Sequence, residues 1–166
     1  MKNTYRLYPT LLVLTAALFS GCAGMMYADK NAQKIFTFDY NIADKSQSVL
    51  WKSGRDYFAG IFGDSRAVFK VSDETEGTMI GQGLATWSLA SNVCKTSYHI
   101  RFAAKDSKAR LQLEIIEGVP LGSPCSGYPW PSANGYTEIV DSFNKMALEL
   151  ENALKGKAAE SDFKNF

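Results

Sequence analysis

Few side chains in this 166-residue chain are of a type that does covalent or acid–base chemistry: one histidine, three cysteines and scattered carboxylates. His99 lies in CKTSYHIRFAA with Arg101 two positions on, so an extended backbone puts both on one side of a strand. For acid–base work on a substrate they would have to converge, with a nearby carboxylate, on a pocket. No serine or cysteine nucleophile is recognisable beside His99, which therefore reads as a solvent-facing strand residue with no catalytic duty. A metal centre is not expected either, because there is a single histidine and no Cys-x-x-Cys spacing. Asp73, Glu74 and Glu76 lie close together in SDETEGT but lack the fixed ligand spacing of a calcium loop, and are read as a solvated hairpin turn. No cofactor is implied.

The cysteines are more informative. Lys2 and Arg6 precede a nine-residue apolar run, Leu11 to Phe19, and then Ser20-Gly21-Cys22. That order is a secretory signal, too short for a permanent span, which needs about 20 apolar residues. Ser20-Gly21-Cys22 resembles the lipobox of bacterial lipoproteins, which implies cleavage before Cys22 and a diacylglycerol on its thiol. The alternative is an ordinary signal cut near Ala23 or Ala28. With Cys22 lipidated, Cys94 and Cys125 remain as an even pair in an oxidising compartment and are expected to be bonded, the alternative being two free buried thiols. Loss of residues 1–21 removes Lys2 and Arg6 and leaves 16 basic against 17 acidic residues, a balance without the basic patch of a nucleic-acid partner.

Cys125 lies in EGVPLGSPCSGYPWPSANGY, residues 117–136, whose glycines, prolines and serines exclude regular structure. Tyr128, Trp130 and Tyr136 punctuate it. On a stapled loop they would form an exposed binding surface for protein, peptide or sugar, or Trp130 would fold back as a lid over the sheet edge.

The elements that position these residues follow from periodicity. Residues 22–32 are small and polar, a tether. Gln33 to Tyr40 alternates Phe36, Phe38 and Tyr40 against Ile35, Thr37 and Asp39, a strand with one buried face. Asp44 and Gln47 offer a capping box for a helix that runs to about Phe62, with Val49, Leu50, Tyr57, Phe58, Ile61 and Phe62 on its apolar side and Gly63 as its stop. Four strands follow, at 66–72, 78–89, 94–104 and 109–116. Gly81 and Gly83 share one face of the second, where a helix or another backbone could approach. Ile139, Phe143, Met146, Leu150 and Leu154 form the stripe of a final helix capped by Thr137, with Asp141–Lys145 and Glu151–Lys155 pairs and Gly156 as its stop. Residues 157–166 read as a polar tail.

The order β-α-β-β-β-β-α makes an α+β two-layer sandwich, an antiparallel sheet with two helices on one face. Ser97, His99, Arg101, Gln112 and Glu114 then occupy the other face, left to water or a partner. From 34 to 155 this order, with SVLWKSGRDYFAGIF and AVFKVSDETEGTMIGQG, resembles a family of small bacterial envelope proteins, a domain of unknown function with a TBP-like fold. The resemblance implies that fold over 33–156 and often an exported location, with no established activity and no catalytic residues. Its DNA-binding namesake implies nothing about function, since fold does not carry function with it. The expectation is a non-catalytic module, held to the membrane through Cys22, that binds an envelope protein or glycan. The alternatives are a carrier of a small apolar ligand or an enzyme acting on an envelope substrate. Ala23 stands where an aspartate would resemble an inner-membrane retention signal, so the outer membrane, facing the periplasm, is the expected anchor site. The intact mass of the mature protein should show two or three acyl chains on a chain beginning at Cys22, and a mass without them would exclude the lipoprotein reading.

Overall fold

The computed structural model describes residues 26–62, 69–125, 127–128 and 130–157. The signal and Cys22, the expected stop at Gly63, the first residues of the second strand from Arg66, Pro129 and most of the tail lie outside them. The elements are β1 (Ile35–Asn41), α1 (Gln47–Phe62), β2 (Phe69–Asp73), β3 (Thr78–Leu89), β4 (Asn92–Lys105), β5 (Lys108–Ile115) and α2 (Ala133–Leu154). The five strands form one antiparallel sheet in the order β1-β5-β4-β3-β2. This is the expected α+β sandwich.

β4 is the middle of the sheet, paired with β3 from Asn92 to Ala103 and with β5 from Tyr98 to Lys105. Its residues alternate in burial: Cys94, Thr96, Tyr98, Ile100, Phe102 and Ala104 face the helices, and the intervening side chains face outward. Met79, Ala85 and Trp87 of β3 and Leu111, Leu113 and Ile115 of β5 continue the inner face. Gly83 also faces inward, opposite Tyr98, and a Cβ there would overlap the Tyr98 ring. The close approach at this glycine is thus made by an aromatic side chain, not by a helix.

Both helices cover that inner face. α1 buries Leu50, Trp51, Gly54 and Phe58, while Val49 and Ile61 are exposed. The stripe is rotated from the expected one because Trp51 reaches the Thr78 carbonyl through its indole N–H (3.3 Å) and Gly54 lets the helix settle onto Phe102. The helix start also differs: Asp44 adopts a left-handed turn (φ 61°), and the Gln47 N–H is capped by Asp106 from the β4–β5 turn (2.8 Å). α2 buries its stripe as expected, with Ala147 added. It begins at Ser132, not Thr137. The Ser132 hydroxyl accepts the Gly135 N–H at 3.1 Å, and Gly135 is tolerated in the first turn because the Trp87 ring occupies the space a Cβ would need. Tyr136 is therefore helical, and Lys145 pairs with Glu149 (3.9 Å) while Lys155 pairs with Glu151 (2.6 Å).

The loop from 116 to 132 is pinned to the sheet by a disulfide between Cys94 and Cys125. Lys95 N–H also donates to the Ser123 hydroxyl at 3.2 Å. The chain preceding β1 joins the same end. Tyr27 forms a β-bridge with Ser132, Ala28 N–H donates to the Pro131 carbonyl (2.9 Å), and Ala133 N–H donates to the Met26 carbonyl (2.8 Å). Residues 26–28 of the expected tether are thus docked. The disulfide closes a loop of sequence separation 31, for which the chain-entropy account gives about 3–4 kcal/mol of stabilisation. Replacing both cysteines by alanine should lower the urea-unfolding free energy by about that amount; a loss under about 1 kcal/mol would mean that packing alone holds the loop.

Candidate functional site

The period-2 geometry that buries one side of β1, β3, β4 and β5 presents the opposite side as a continuous surface. Three cross-strand rows can be followed through the register. Gln82, His99, Glu114 and Ile35 make one; Ile80, Arg101, Gln112 and Thr37 the next; Thr78, Ala103, Arg110 and Asp39 the third. Cross-strand neighbours at such spacing interact directly.

The charges on this face are largely matched. Glu114 receives His99 Nδ1 and Arg101 Nη2 on one carboxylate oxygen, each at 3.6 Å. Arg101 also donates to Gln112 Oε1 (3.2 Å), and Gln112 in turn reaches Thr37 Oγ1 (3.5 Å). Arg110 grips Asp39 with two parallel bonds, Nε to Oδ1 at 2.5 Å and Nη2 to Oδ2 at 3.0 Å, the fork geometry that favours arginine. The hydrogen bond from Arg110 holds the Asp39 carboxyl below the usual aspartate value, and the same pairing raises Arg110. Exposed aliphatic side chains flank these pairs, Val71, Ile80 and Leu84 on β2 and β3 to one side and Ile35 on β1 at the other. A shallow, open depression of about 310 Å³ lies over Ile80, Arg101, Arg110 and Gln112.

This arrangement can recognise; its chemistry for bond breaking is thin. His99 has a carboxylate neighbour, yet its Nδ1 is covered and makes no hydrogen bond. Among the described residues no three His, Cys, Asp or Glu side chains gather as metal ligands. Burial pushes the hydroxyls of Tyr40, Tyr57 and Tyr98 well above the usual tyrosine value, so they are neutral donors and not bases. Two of them hold α2 in place, Tyr40 through the Ala147 carbonyl (3.2 Å) and Tyr57 through the Met146 carbonyl (3.1 Å).

His99 and Arg101 are thus brought together, but the aromatic trio is elsewhere. Trp130 is 6% exposed, with the Lys34 ammonium 5.4 Å from its ring centre. Tyr128 is half-buried between Tyr27 and Trp87. Tyr136 donates its hydroxyl to the Gln33 carbonyl at 2.8 Å. Trp130 is thus buried and Tyr128 and Tyr136 are half-buried, so the trio forms no open aromatic surface: the disulfide holds the loop against the sheet, and large rings so constrained lower their energy by leaving water. The sequence reading did not identify the Asp39–Arg110 clamp or the aliphatic positions Ile80 and Leu84. Alternation places each of them outward, but the pairing of β1 with β5, which brings Asp39 to Arg110, is long-range and leaves no local signal.

Residues 36–117 match the model of a family described as a domain of unknown function (DUF4468) with TBP-like fold. Two crystal structures are similar in fold. A TBP-like protein from Parabacteroides distasonis ATCC 8503 superposes with a TM-score of 0.59 at 12% identity, over 81% of this chain and 97% of that one. A DUF4468 family protein from Bacteroides ovatus ATCC 8483 gives a TM-score of 0.55 at 15% identity, over 77% of this chain and 90% of that one. No curated protein matches the sequence.

The Asp39 clamp has a pH signature. A carboxyl held low in the folded state contributes stability above its unfolded pKa and loses it as pH falls through the folded pKa; full exposure screens that contribution. An NMR titration should place Asp39 below the ordinary aspartate value of 3.8 and Arg110→Gln should move it upward. An Asp39 titration unchanged by that substitution would contradict the pairing.

Proposed function

With a domain of the DUF4468 family and its TBP-like fold as the premise, we propose that this chain is a non-catalytic envelope protein, anchored through lipid on Cys22, whose open sheet face binds a protein partner. The observation that carries the reading is the composition of that face: exposed aliphatic side chains on β2 and β3 beside matched arginine–carboxylate pairs on β4, β5 and β1. Such a surface offers apolar area for desolvation and fixed charges for orientation, the two parts of a specific interface. Protein is favoured over glycan because, among the described residues, no outward-facing strand position carries a Trp, Tyr or Phe ring that a sugar could stack on. The helix side is occupied by its own core, in which Phe58, Phe102, Phe143 and Leu150 are fully buried, and this packing favours the binding module over a carrier of an apolar ligand.

The Cys94–Cys125 disulfide supports an exported location, since such bonds persist in oxidising compartments. Ala23 after Cys22 favours the outer membrane, with the domain facing the periplasm.

A photo-crosslinking amino acid at Leu84, on the open face, should give a discrete protein adduct in living cells. The same probe at Leu148, exposed on α2, serves as the control and should give none. Adducts of equal yield at both positions, or at Leu148 alone, would overturn the assignment of the face.

A further inference from the structure

Met26, the first described residue, lies close to the end of the molecule where three otherwise separate segments meet. Residues 26–28 are hydrogen-bonded to 131–133, Tyr27 donates its hydroxyl to the Gly127 carbonyl (2.9 Å), and Cys125 is bonded to Cys94 beside the β3–β4 hairpin tip. Large apolar side chains protrude there: Leu121 is fully exposed (103%), Met26 is 70% exposed and Val93 61%. Singly, each would be unremarkable on a soluble surface. Their position relative to Cys22 changes their meaning, because only residues 23–25 separate Cys22 from Met26. Four Cα-to-Cα steps span at most about 14 Å even when fully extended. An acyl chain on Cys22 would therefore hold this end within that distance of the bilayer.

We propose that the end formed by Met26, the β3–β4 tip and the stapled loop is a bilayer-facing surface. Met26, Val93 and Leu121 enter the headgroup layer, to a depth of roughly 5–10 Å by analogy with interfacial apolar faces. Lys95, exposed beside Val93, can lie with its stem along the same apolar surface and its ammonium among the headgroups. The occupant is a lipid surface and not a protein because the short linker leaves little room for a partner between this end and the membrane. Three apolar side chains alone are too little for stable binding, so the surface orients a protein that the lipid retains. β4 then points away from the membrane, and its 14 residues carry Lys105 roughly 45 Å from the tip at about 3.3 Å per residue. The open sheet face meets the membrane only at its Val93–Lys95 end, and the rest of it stands to the side, free for a partner. This inference rests on acylation of Cys22, and its test separates the two.

The full mature protein, purified in its acylated form, is reconstituted into phosphatidylcholine vesicles whose acyl chains carry bromine, a contact quencher of tryptophan. Leu121→Trp and Val93→Trp are compared with Lys105→Trp, each read as the emission added to that of the native chain, and intact mass reports the acyl chains on every sample. The expected result is loss of most of the added emission at 121 and 93 with none at 105. Acylated protein in which 121 and 93 keep their added emission would overturn the orientation and leave the anchor standing. A mature mass without acyl chains would overturn the anchor and the orientation with it.

Discussion

Two helices cover one face of a five-stranded sheet, and the rest of the molecule depends on that inequality. β1, β3, β4 and β5 alternate, because every second side chain faces a packed layer and the others do not. Fixing the helices is as important as forming the strands. α2 lies diagonally over the inner face with Phe143 against Phe36 of β1 and Tyr98 of β4, and its carbonyls accept the hydroxyls of Tyr40 and Tyr57. α1 is locked at its start by Asp106 and along its length by Trp51 and Phe58. The outer face is thus a rigid surface that neither helix covers. Its arginine–carboxylate pairs and exposed aliphatic side chains are fixed by β-sheet register, which supplies the preorganisation a binding surface needs.

Local order was legible because it is written in short-range patterns. The alternation in β3, β4 and β5, the stripe of α2 and the stop at Gly156, whose φ is 77°, all correspond to periodicity or turn chemistry within a few residues. The departures have a common cause. The α1 stripe rotates to bury Trp51 and Gly54, the α2 start moves back to Ser132 against Trp87, and Gly83 accommodates Tyr98. In each case a large aromatic ring sets the fit: Trp51 and Phe102 for α1, Trp87 for α2 and Tyr98 for Gly83. Of the candidate site, His99, Arg101, Gln112 and Glu114 could be placed on the outer face from alternation alone. The clamp between Asp39 and Arg110 could not, since their strands are adjacent only after β1 pairs with β5 across most of the domain.

The 117–136 segment shows how composition and burial part company. Its prolines and glycines exclude a long strand or helix, as the structure bears out up to Ser132, but they do not decide whether its rings face water. The disulfide and the docking of residues 26–28 hold the segment so that Trp130 packs inward while Leu121 is left outside. One end of the domain consequently combines the place where the chain enters the fold, a cross-linked loop and a hairpin tip. The opposite end carries the turns at 74–77 and 106–107, and the open sheet face extends between the two.

Recognition through that open face is the central claim, and side-chain footprinting in the cell tests it most directly. Hydroxyl-radical labelling of living cells and of the purified protein, read by mass spectrometry, would report the accessibility of Ile80, Leu84 and His99 alongside Leu148 on α2. With a partner on the open face, the three sheet-face residues will be protected in cells and reactive when purified, with Leu148 equally reactive in both. Equal labelling of the sheet face in both settings, with protection at Leu148 instead, would contradict it.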